Sequence, residues 1–260
     1  MQTPHTGLMQ REEGVGRIPH AAITLEDAAL FRRLQERGQR IVVHLKLDSR
    51  TLPDATSRNV VADLSGRELP QEIVALGGHI DSWDVGQGAV DDGGGCIAAW
   101  EAIRLVKQLG LKPRRTLRLV LWTGEENGLW GAKAYSKAHT AELPNHILAI
   151  ESDRGVFAPE GFAFTGSGKA LSWIQEIAKQ LRSIRSDRVT LGNGGMDVME
   201  LIQGGVPVMD LAVDRTRYFW FHHSDADTVD KVDSKELNLC VGALAVMAYG
   251  VADMPNRLPR

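Results

Sequence analysis

The sequence predicts an α/β fold, a three-layer α/β/α sandwich in which helices flank a mixed, mostly parallel central sheet. Short apolar segments typical of buried strands alternate along the chain with longer segments of helical period. Several predicted strands run directly into glycines and polar side chains, as strands do where open α/β sheets bind ligands. With 260 residues, 43% of them apolar, the chain can bury one sizeable core.

The first quarter of the chain is predicted to hold one helix and two strands. Residues 1–20 lack periodicity and carry several glycines, which indicates a loop. Thr24 precedes acidic residues and a helical pattern, so a helix is predicted from there to Arg37. Alternating apolar residues predict strands over 41–47 and 59–64.

Strands and helices alternate through the rest of the chain. The predicted strands are one that ends at His79, then 116–122, 146–150, 161–165 and 206–213. The predicted helices are 94–109, a short one that ends near 139, then 168–182, 196–203 and 233–249. This alternation favours crossover connections and therefore a mostly parallel sheet.

Composition and charge narrow the classes of partner. The net charge of -3 offers no basic surface for nucleic acid or an anionic membrane, so neither is an expected partner. No apolar run reaches the length of a membrane span, and the polar N-terminal segment is not a signal peptide. Cys96 and Cys240 lie far apart, which argues against a disulfide framework but leaves a single bridge open.

Side chains of the types that bind metals follow four of the predicted strands. They are His79 with Asp81, Glu125 with Glu126, Asp153, His223, and Asp91 on the loop after the first of these strands. Taken singly, each has a structural explanation: a hydrogen-bonded histidine, a solvated acidic turn, or a carboxylate that caps a helix. Taken together at one edge of one sheet, they indicate a metal site, and zinc accepts both imidazole nitrogen and carboxylate oxygen.

Four motifs carry a resemblance to a known family. They are GGHIDSWDVGQGAVDDGGG (77–95), WTGEENG (122–128), ESD (151–153) and HHSDADT (222–228). In this order and spacing they resemble the motifs of the co-catalytic di-zinc exopeptidases, and the resemblance runs over nearly the whole chain. It implies a phosphorylase/hydrolase-like zinc peptidase fold and two zinc ions (Zn2+) per chain.

The resemblance also implies which residues bind zinc. Asp91 would bridge the two ions. His79 and Asp153 would bind one of them. Glu126 and His223 would bind the other. Three protein ligands on each ion leave coordination positions open for water, as a catalytic site needs.

The catalytic residues implied by the resemblance are Glu125 and Asp81. Successive side chains at a strand end point to opposite sides, so Glu125 is expected to face the reacting water while Glu126 binds zinc. Glu125 would then act as the general base. Asp81, two residues after His79, resembles the carboxylate that orients the ligand imidazole in the family.

Further positions follow from the same resemblance. His223 is preferred to its neighbour His222 as a ligand because it lies four residues before Asp227, the spacing found in the family. His222 is then expected to be a pocket wall. The peptide bond between Asp91 and Asp92 is cis in relatives, and the same is expected here.

Two residues are expected to bind substrate, and the domain organisation is expected to be incomplete. Asp197 lies in a glycine-rich segment like the one near the family's substrate pocket, and Trp83 is expected to wall that pocket. Relatives begin with a further N-terminal part of the catalytic domain, which precedes an inserted lid. Residues 1–40 are therefore expected to be the remnant of the lid and 41–260 the catalytic domain of an N-terminally truncated chain. The resemblance suggests secretion and leaves a homodimer open.

The function implied by the resemblance is that of a metallopeptidase that cleaves short peptides or dipeptides and releases single amino acids. One alternative is a receptor-like relative, or an impaired fragment, that keeps the fold without catalysis. The complete ligand set and the presence of Glu125 favour the enzyme. Another alternative is a di-metal phosphoesterase, but no Gly-Lys or Arg cluster near the motifs supports it.

Overall fold

A computed structural model describes residues 3–7, 14–15, 18–48, 50 and 52–260. Seven strands form one sheet: β1 (Val60–Leu64), β2 (Leu69–His79), β3 (Arg115–Trp122), β4 (His146–Glu151), β5 (Pro159–Thr165), β6 (Arg188–Leu191) and β7 (Val208–Val213). The α-helices are α1 (Leu25–Glu36), α2 (Gly94–Gln108), α3 (Trp130–Ala138), α4 (Gly168–Ala178) and α5 (Ser234–Asp253).

The sheet is mixed, with a parallel centre. Its strand order is β1-β3-β2-β4-β7-β5-β6, and the four strands β3, β2, β4 and β7 are parallel neighbours. β1 is antiparallel to β3, and β5 is antiparallel to β7. Because His79 pairs with Trp122 and Gly77 pairs with Glu151, the central strands end side by side at one edge. The predicted α/β class and mixed sheet are confirmed.

Helices cover both faces of the sheet, which makes three layers. Val74 and Leu76 of β2 pack into a core that includes residues of α2, α4 and α5. The alternate residues Ile73 and Ala75 pack on the other side, in a core that includes residues of α3. This alternation is the period of two expected of a strand with both faces buried.

Helix α5 is the longest helix that the structure describes and lies in the core. By length and composition alone it could cross a membrane, with a mean hydropathy of 1.3 over its most apolar stretch. The expectation that no segment reaches the length of a membrane span is therefore wrong by that criterion. Nine of its residues are buried, and α5 packs against α2 and α4. Its apolar residues are thus accounted for by core contacts.

Two strands differ between the prediction and the structure: one was predicted but does not form, and one forms but was not predicted. Residues 41–47 form no strand: Val42 and Val43 are 78% and 54% exposed, and no described strand lies beside them. Alternating apolar residues need a hydrogen-bonded neighbour to form a strand, and this segment has none among the described residues. Conversely, β6 was not predicted, because four residues are too short a segment for their alternation to stand out, and three of them are exposed.

The remaining elements agree with the prediction apart from their ends. Thr24 caps α1 as expected, accepting a hydrogen bond from the Asp27 amide. The helix predicted over 168–182 becomes 3-10 after Ala178, and that over 196–203 is a 3-10 segment at Val198–Gly204. Of the predicted loop over 1–20, the parts at 1–2, 8–13 and 16–17 lie outside the described residues, and the remainder has no helix or strand. The division at residue 40 stays a prediction.

Candidate metal centre

His79 is the last residue of β2 and lies almost fully buried at the shared edge of the parallel strands. Its Nε2 atom is 3.2 Å from an oxygen of Asp91 and 3.2 Å from an oxygen of Asp153. Its Nδ1 atom lies 2.8 Å from the main-chain oxygen of Asp81, which can only accept. Nδ1 must therefore carry a proton, which leaves Nε2 to hold either a second proton or a metal ion between the two carboxylates.

His223 repeats this arrangement on the other side of Asp91. Its Nε2 atom is 2.9 Å from an oxygen of Glu126 and 3.3 Å from Oδ2 of Asp91, whereas His79 approaches Oδ1. Its Nδ1 atom donates to the main-chain oxygen of Thr6 at 2.9 Å. The two oxygens of Asp91 therefore face two separate ligand clusters. All five predicted ligands are brought together, and Asp91 lies between the two pairs.

The electrostatics of this cluster fit a bound cation. Oδ2 of Asp91 and Oε1 of Glu126 are buried and, among the described residues, accept no hydrogen bond. Burial opposes a charged imidazole, yet hydrogen bonds to Asp153 and Asp91 raise the pKa of His79 well above its usual value. Burial also opposes charge on His223, but its carboxylate partners raise that pKa to about 10. Buried carboxylates demand positive charge, which either protons or a divalent metal can supply.

The neighbour His222 has a weaker claim to be a ligand. Its ring stacks on His223 with the centroids 3.5 Å apart, and its Nε2 atom is 3.4 Å from Asp91. Unlike His223, it makes no approach to Glu126 among the contacts described. Burial lowers the pKa of His222 to about 4. It lines the cavity beside the cluster, as expected of a pocket wall.

Glu125 and Glu126 have separate positions, but not for the reason that the sequence suggested. β3 ends at Trp122, so the pair lies in the following turn rather than on the strand, and strand alternation does not apply. Glu126 is buried against His223, while the half-buried Glu125 lines the cavity. Burial, and then the charge of Asp153, raises the pKa of Glu125 to about 7. That value suits a group that must both accept and release a proton.

Asp81 acts differently from the expectation. The main-chain oxygen of Asp81, not its carboxylate, makes the hydrogen bond to His79, and the carboxylate lies 3.8 Å from the ring. The two carboxylate oxygens instead accept the amides of Glu125 and Glu126, at 3.1 and 3.3 Å. Asp81 lies past the end of β2, where the chain turns and strand alternation no longer applies. It therefore holds the acidic turn in place.

Asp92 and Asp227 fix the backbone around the bridging position. The Asp91–Asp92 peptide bond is cis, as the resemblance implied. Asp92 is buried and accepts the amides of His79 and Gly95, at 3.1 and 3.2 Å. Asp227 accepts the amides of Val90 at 2.6 Å and of Asp91 at 3.1 Å. Asp227 thus ties the loop of His223 to the loop of Asp91, a role that the sequence analysis missed although it lies in the same motif.

The two predicted substrate-binding residues lie elsewhere than expected. Trp83 donates a hydrogen bond of 2.7 Å to Glu126, and its ring centroid is 5.8 Å from that of His223. It therefore contacts two proposed ligands, Glu126 and His223, and does not line the cavity beside the cluster. Asp197 is fully buried, and its amide donates to Glu151. Burial raises the pKa of Asp197 to about 8. The glycine-rich segment does reach the cavity, but through residues 195 and 196.

The cavity beside the cluster has a volume of about 510 Å³. Its walls, apart from the ligands and Glu125, are formed by Gly128, Leu129, Arg154, Gly195, Met196, Asp210, Tyr218, Phe219 and His222. Aromatic and apolar side chains therefore share the wall with carboxylates. This mixture is typical of a small-molecule site.

The N-terminal segment also reaches the site, which the sequence did not suggest. Residues 3–7 lie against the loop of His222 and His223. The amide of Thr6 donates to the main-chain oxygen of His223 at 2.9 Å, in addition to accepting from its imidazole. His5 makes a hydrogen bond to the main-chain oxygen of His222. A main-chain oxygen that orients a ligand imidazole is a common feature of metal sites.

Comparison with known proteins identifies the family of this chain. The sequence profile of peptidase family M28 matches residues 59–248. The chain belongs to this family. Carboxypeptidase Q of Mus musculus is 47% identical over 258 residues, which cover 99% of this chain and 55% of that protein. Carboxypeptidase Q of Homo sapiens is 46% identical over the same shares. The resemblance of the motifs to the family, and within it to carboxypeptidase Q, is confirmed.

Solved structures give the same family and fold. A crystal structure described as a peptidase M28 precursor from Shewanella amazonensis SB2B matches with a TM-score of 0.92 and 38% identity, over 100% of this chain and 59% of that one. An aminopeptidase from Aneurinibacillus sp. strain AM-1 matches with a TM-score of 0.63 and 24% identity, over 77% of this chain and 49% of that one. The latter shows the fold alone. The chain spans about half the length of the curated M28 relatives that it matches.

Proposed function

We propose that this chain carries the catalytic site of a zinc-dependent exopeptidase that hydrolyses short peptides, dipeptides included, to single amino acids. The observation that carries the proposal is the placement of Asp91, whose two oxygens face two separate pairs of nitrogen and oxygen ligands. Two zinc ions would be held, one by His79 and Asp153 and the other by Glu126 and His223, with Asp91 shared. Membership of the M28 family supports the same chemistry.

Each residue of the site has a task that follows from its surroundings. Zinc supplies Lewis acidity, which lowers the pKa of water and polarises a carbonyl oxygen. Glu125 would accept a proton from the attacking water and return it to the amine that leaves, because it lines the cavity and burial raises the pKa of its carboxyl above the usual value. Asp81 holds the main chain of Glu125 and Glu126, and so fixes the base relative to the ligand.

The size of the cavity supports a short substrate. A volume of about 510 Å³ lies in the range of small-molecule sites and suits a few residues of peptide. Tyr218, Phe219 and Met196 provide apolar walls for a substrate side chain. An exopeptidase of this kind requires a free terminus. Blocking both termini of a dipeptide should therefore abolish its hydrolysis, whereas an internal bond of a long protein should be cut slowly at most.

A pair of variants tests the proposal. Glu125→Gln keeps the size of the side chain and should retain zinc, but should lose on the order of a hundredfold or more in dipeptide turnover. Glu126→Gln should lose zinc as well as turnover. Elemental analysis and a dipeptide assay on the same samples separate the two effects, and Glu176→Gln, an exposed substitution on α4, is the control.

Three results would count against the proposal. Near-wild-type turnover by zinc-loaded Glu125→Gln would remove Glu125 from the mechanism. Zinc binding by wild type with no hydrolysis of any dipeptide would favour the receptor-like alternative. Turnover of a phosphate ester such as p-nitrophenyl phosphate in place of peptides would favour the phosphoesterase.

A further inference from the structure

One cationic side chain lines the cavity and has no part in the proposed chemistry. Among the residues described around the cavity, Arg154 is the one arginine or lysine. It follows the proposed ligand Asp153 directly, just past the end of β4. Apart from the histidines and Tyr218, the other titratable groups there, such as Asp91, Glu125 and Asp210, are carboxylates. A positive group at this point changes what the cavity can accept.

Arg154 is anchored through one nitrogen only. Its Nε atom donates to Oδ2 of the buried Asp210, a residue of β7, at 2.5 Å. Its side chain is 30% exposed. Its two Nη atoms donate no hydrogen bond to any residue that the structure describes. Because this hydrogen bond uses Nε alone, the pair of Nη donors is left available in the fork geometry that matches a carboxylate.

The salt bridge to Asp210 does not by itself explain why Arg154 donates through Nε alone. A guanidinium can donate two parallel hydrogen bonds to one carboxylate, through Nε and one Nη. Here Oδ1 of Asp210 is buried and accepts no hydrogen bond from the described residues, so Asp210 uses only one of the available donors. The salt bridge therefore holds the guanidinium in place without consuming its donor capacity.

We propose that Arg154 binds a carboxylate of the substrate through its Nη atoms and so selects peptides with an anionic group near the bond to be cut. The inference rests on the proposed function, since it names the substrate group that the same cavity recognises. Without Arg154, the carboxylates that are not proposed zinc ligands, Glu125 and Asp210, would repel such a group. The carboxylate belongs either to the free C-terminus of a dipeptide or to an acidic side chain, and both sources offer the same bidentate geometry.

Three substrates distinguish the two sources: Ala-Leu, its C-terminal amide, and Ala-isoglutamine, in which only the side-chain carboxylate is free. Arg154→Gln should raise KM on the order of 10- to 100-fold for the substrate whose carboxylate is bound, with kcat changed little. The amide, which lacks both carboxylates, should be a poor substrate that the variant does not worsen. Whichever of the other two depends on Arg154 identifies the source.

Two further variants guard against a structural explanation. Arg154→Lys keeps a positive partner for Asp210 but lacks the fork, so it should fold as wild type and still show a raised KM for the selected substrate. Arg215→Gln removes an exposed charge near Asp210 that does not line the cavity, and it should leave KM unchanged. Equal loss for all three substrates in both Arg154 variants would overturn the proposal, because a merely structural residue would not discriminate among them.

A binding measurement separates this inference from the proposed function. In calorimetry on the protein with and without chelator, leucine or isoglutamine should bind more tightly than leucinamide, and Arg154→Gln should remove that preference. This result is expected even if the protein hydrolyses no peptide. Wild-type protein that hydrolyses dipeptides yet binds leucine, isoglutamine and leucinamide equally would refute the role of Arg154 and leave the proposed function standing.

Discussion

Deletion of residues 1–7 tests whether the N-terminal segment is part of the metal centre. The deletion removes the hydrogen bond from Thr3 to Asp225 and three that involve His222 and His223 themselves: those from His5, from the amide of Thr6, and from the His223 imidazole to the Thr6 oxygen. The last of these fixes the ring so that Nε2 faces Glu126 and Asp91. Without it, the ring of His223 is free to rotate or to change tautomer.

The size of the effect follows from these contacts. Loss of a partner that orients a ligand imidazole typically costs 10- to 100-fold in metal affinity. A 10- to 100-fold loss of affinity corresponds to about 1.4–2.7 kcal/mol of binding free energy. This is the net contribution of one or two of the three hydrogen bonds that His222 and His223 lose. The deletion should therefore weaken one zinc site by this factor and leave the site of His79 and Asp153 unaffected. The fold should persist, because none of residues 3–7, the part of this segment that the structure describes, is buried in the core.

Competition against a chelator of known affinity measures the effect site by site. Deletion of residues 1 and 2 alone is the matched control, since it leaves the contacts of His5 and Thr6 in place. Two zinc affinities indistinguishable from those of wild type in the longer deletion would refute the account of His223. Equal weakening of both sites would show that the segment supports the fold in general.

Three further changes have expected outcomes. Asp227→Ala leaves the amides of Val90 and Asp91 unpaired and should lower the free energy of unfolding by roughly 2–4 kcal/mol in urea denaturation; a loss below 0.5 kcal/mol would contradict this. Trp83→Phe removes the donor to Glu126 and should weaken zinc binding about tenfold by chelator competition, with little change in turnover at saturating zinc; unchanged affinity would count against it. Burial lowers the pKa of His146 from 6.5 to about 4, so as the pH is lowered the unfolded chain binds this proton before the folded chain does. The free energy of unfolding should therefore decrease as the pH falls from 6.5 to 4, by up to roughly 3 kcal/mol. His146→Gln should flatten that part of the stability curve, and an unchanged pH dependence would refute the assignment.

The residues that meet at the candidate metal centre were predictable because strand ends carry local information. His79, Glu126 and Asp153 each follow an apolar strand, and parallel strands bring their carboxyl ends to one edge. The position of Asp91 between the two pairs came from the family motif rather than from strand geometry. What the sequence could not show was how far each strand continues, and Glu125 therefore lies in a turn and not on β3.

Long-range contacts account for the features of the site that the sequence did not predict. The hydrogen bond between Thr6 and His223 joins residues 217 positions apart, and no local pattern marks it. Arg154 meets Asp210 because β4 and β7 are neighbours in the sheet, and their adjacency is set by the strand order rather than by any local pattern. Asp197 was expected in the pocket because of its neighbouring glycines. Its carboxyl group is instead buried behind them, since side-chain direction there is set by packing.

Zinc stoichiometry of the wild-type protein and of Asp91→Ala tests the central claim most directly. Asp91 is placed to serve both ions, whereas Glu126 is placed to serve one. Elemental analysis of folded, dialysed protein should give two zinc ions per chain for wild type and one for Glu126→Gln. For Asp91→Ala it should give none tightly bound, with circular dichroism confirming that each variant is folded. At most one zinc in wild type, or one zinc retained by Asp91→Ala with wild-type affinity, would contradict the account.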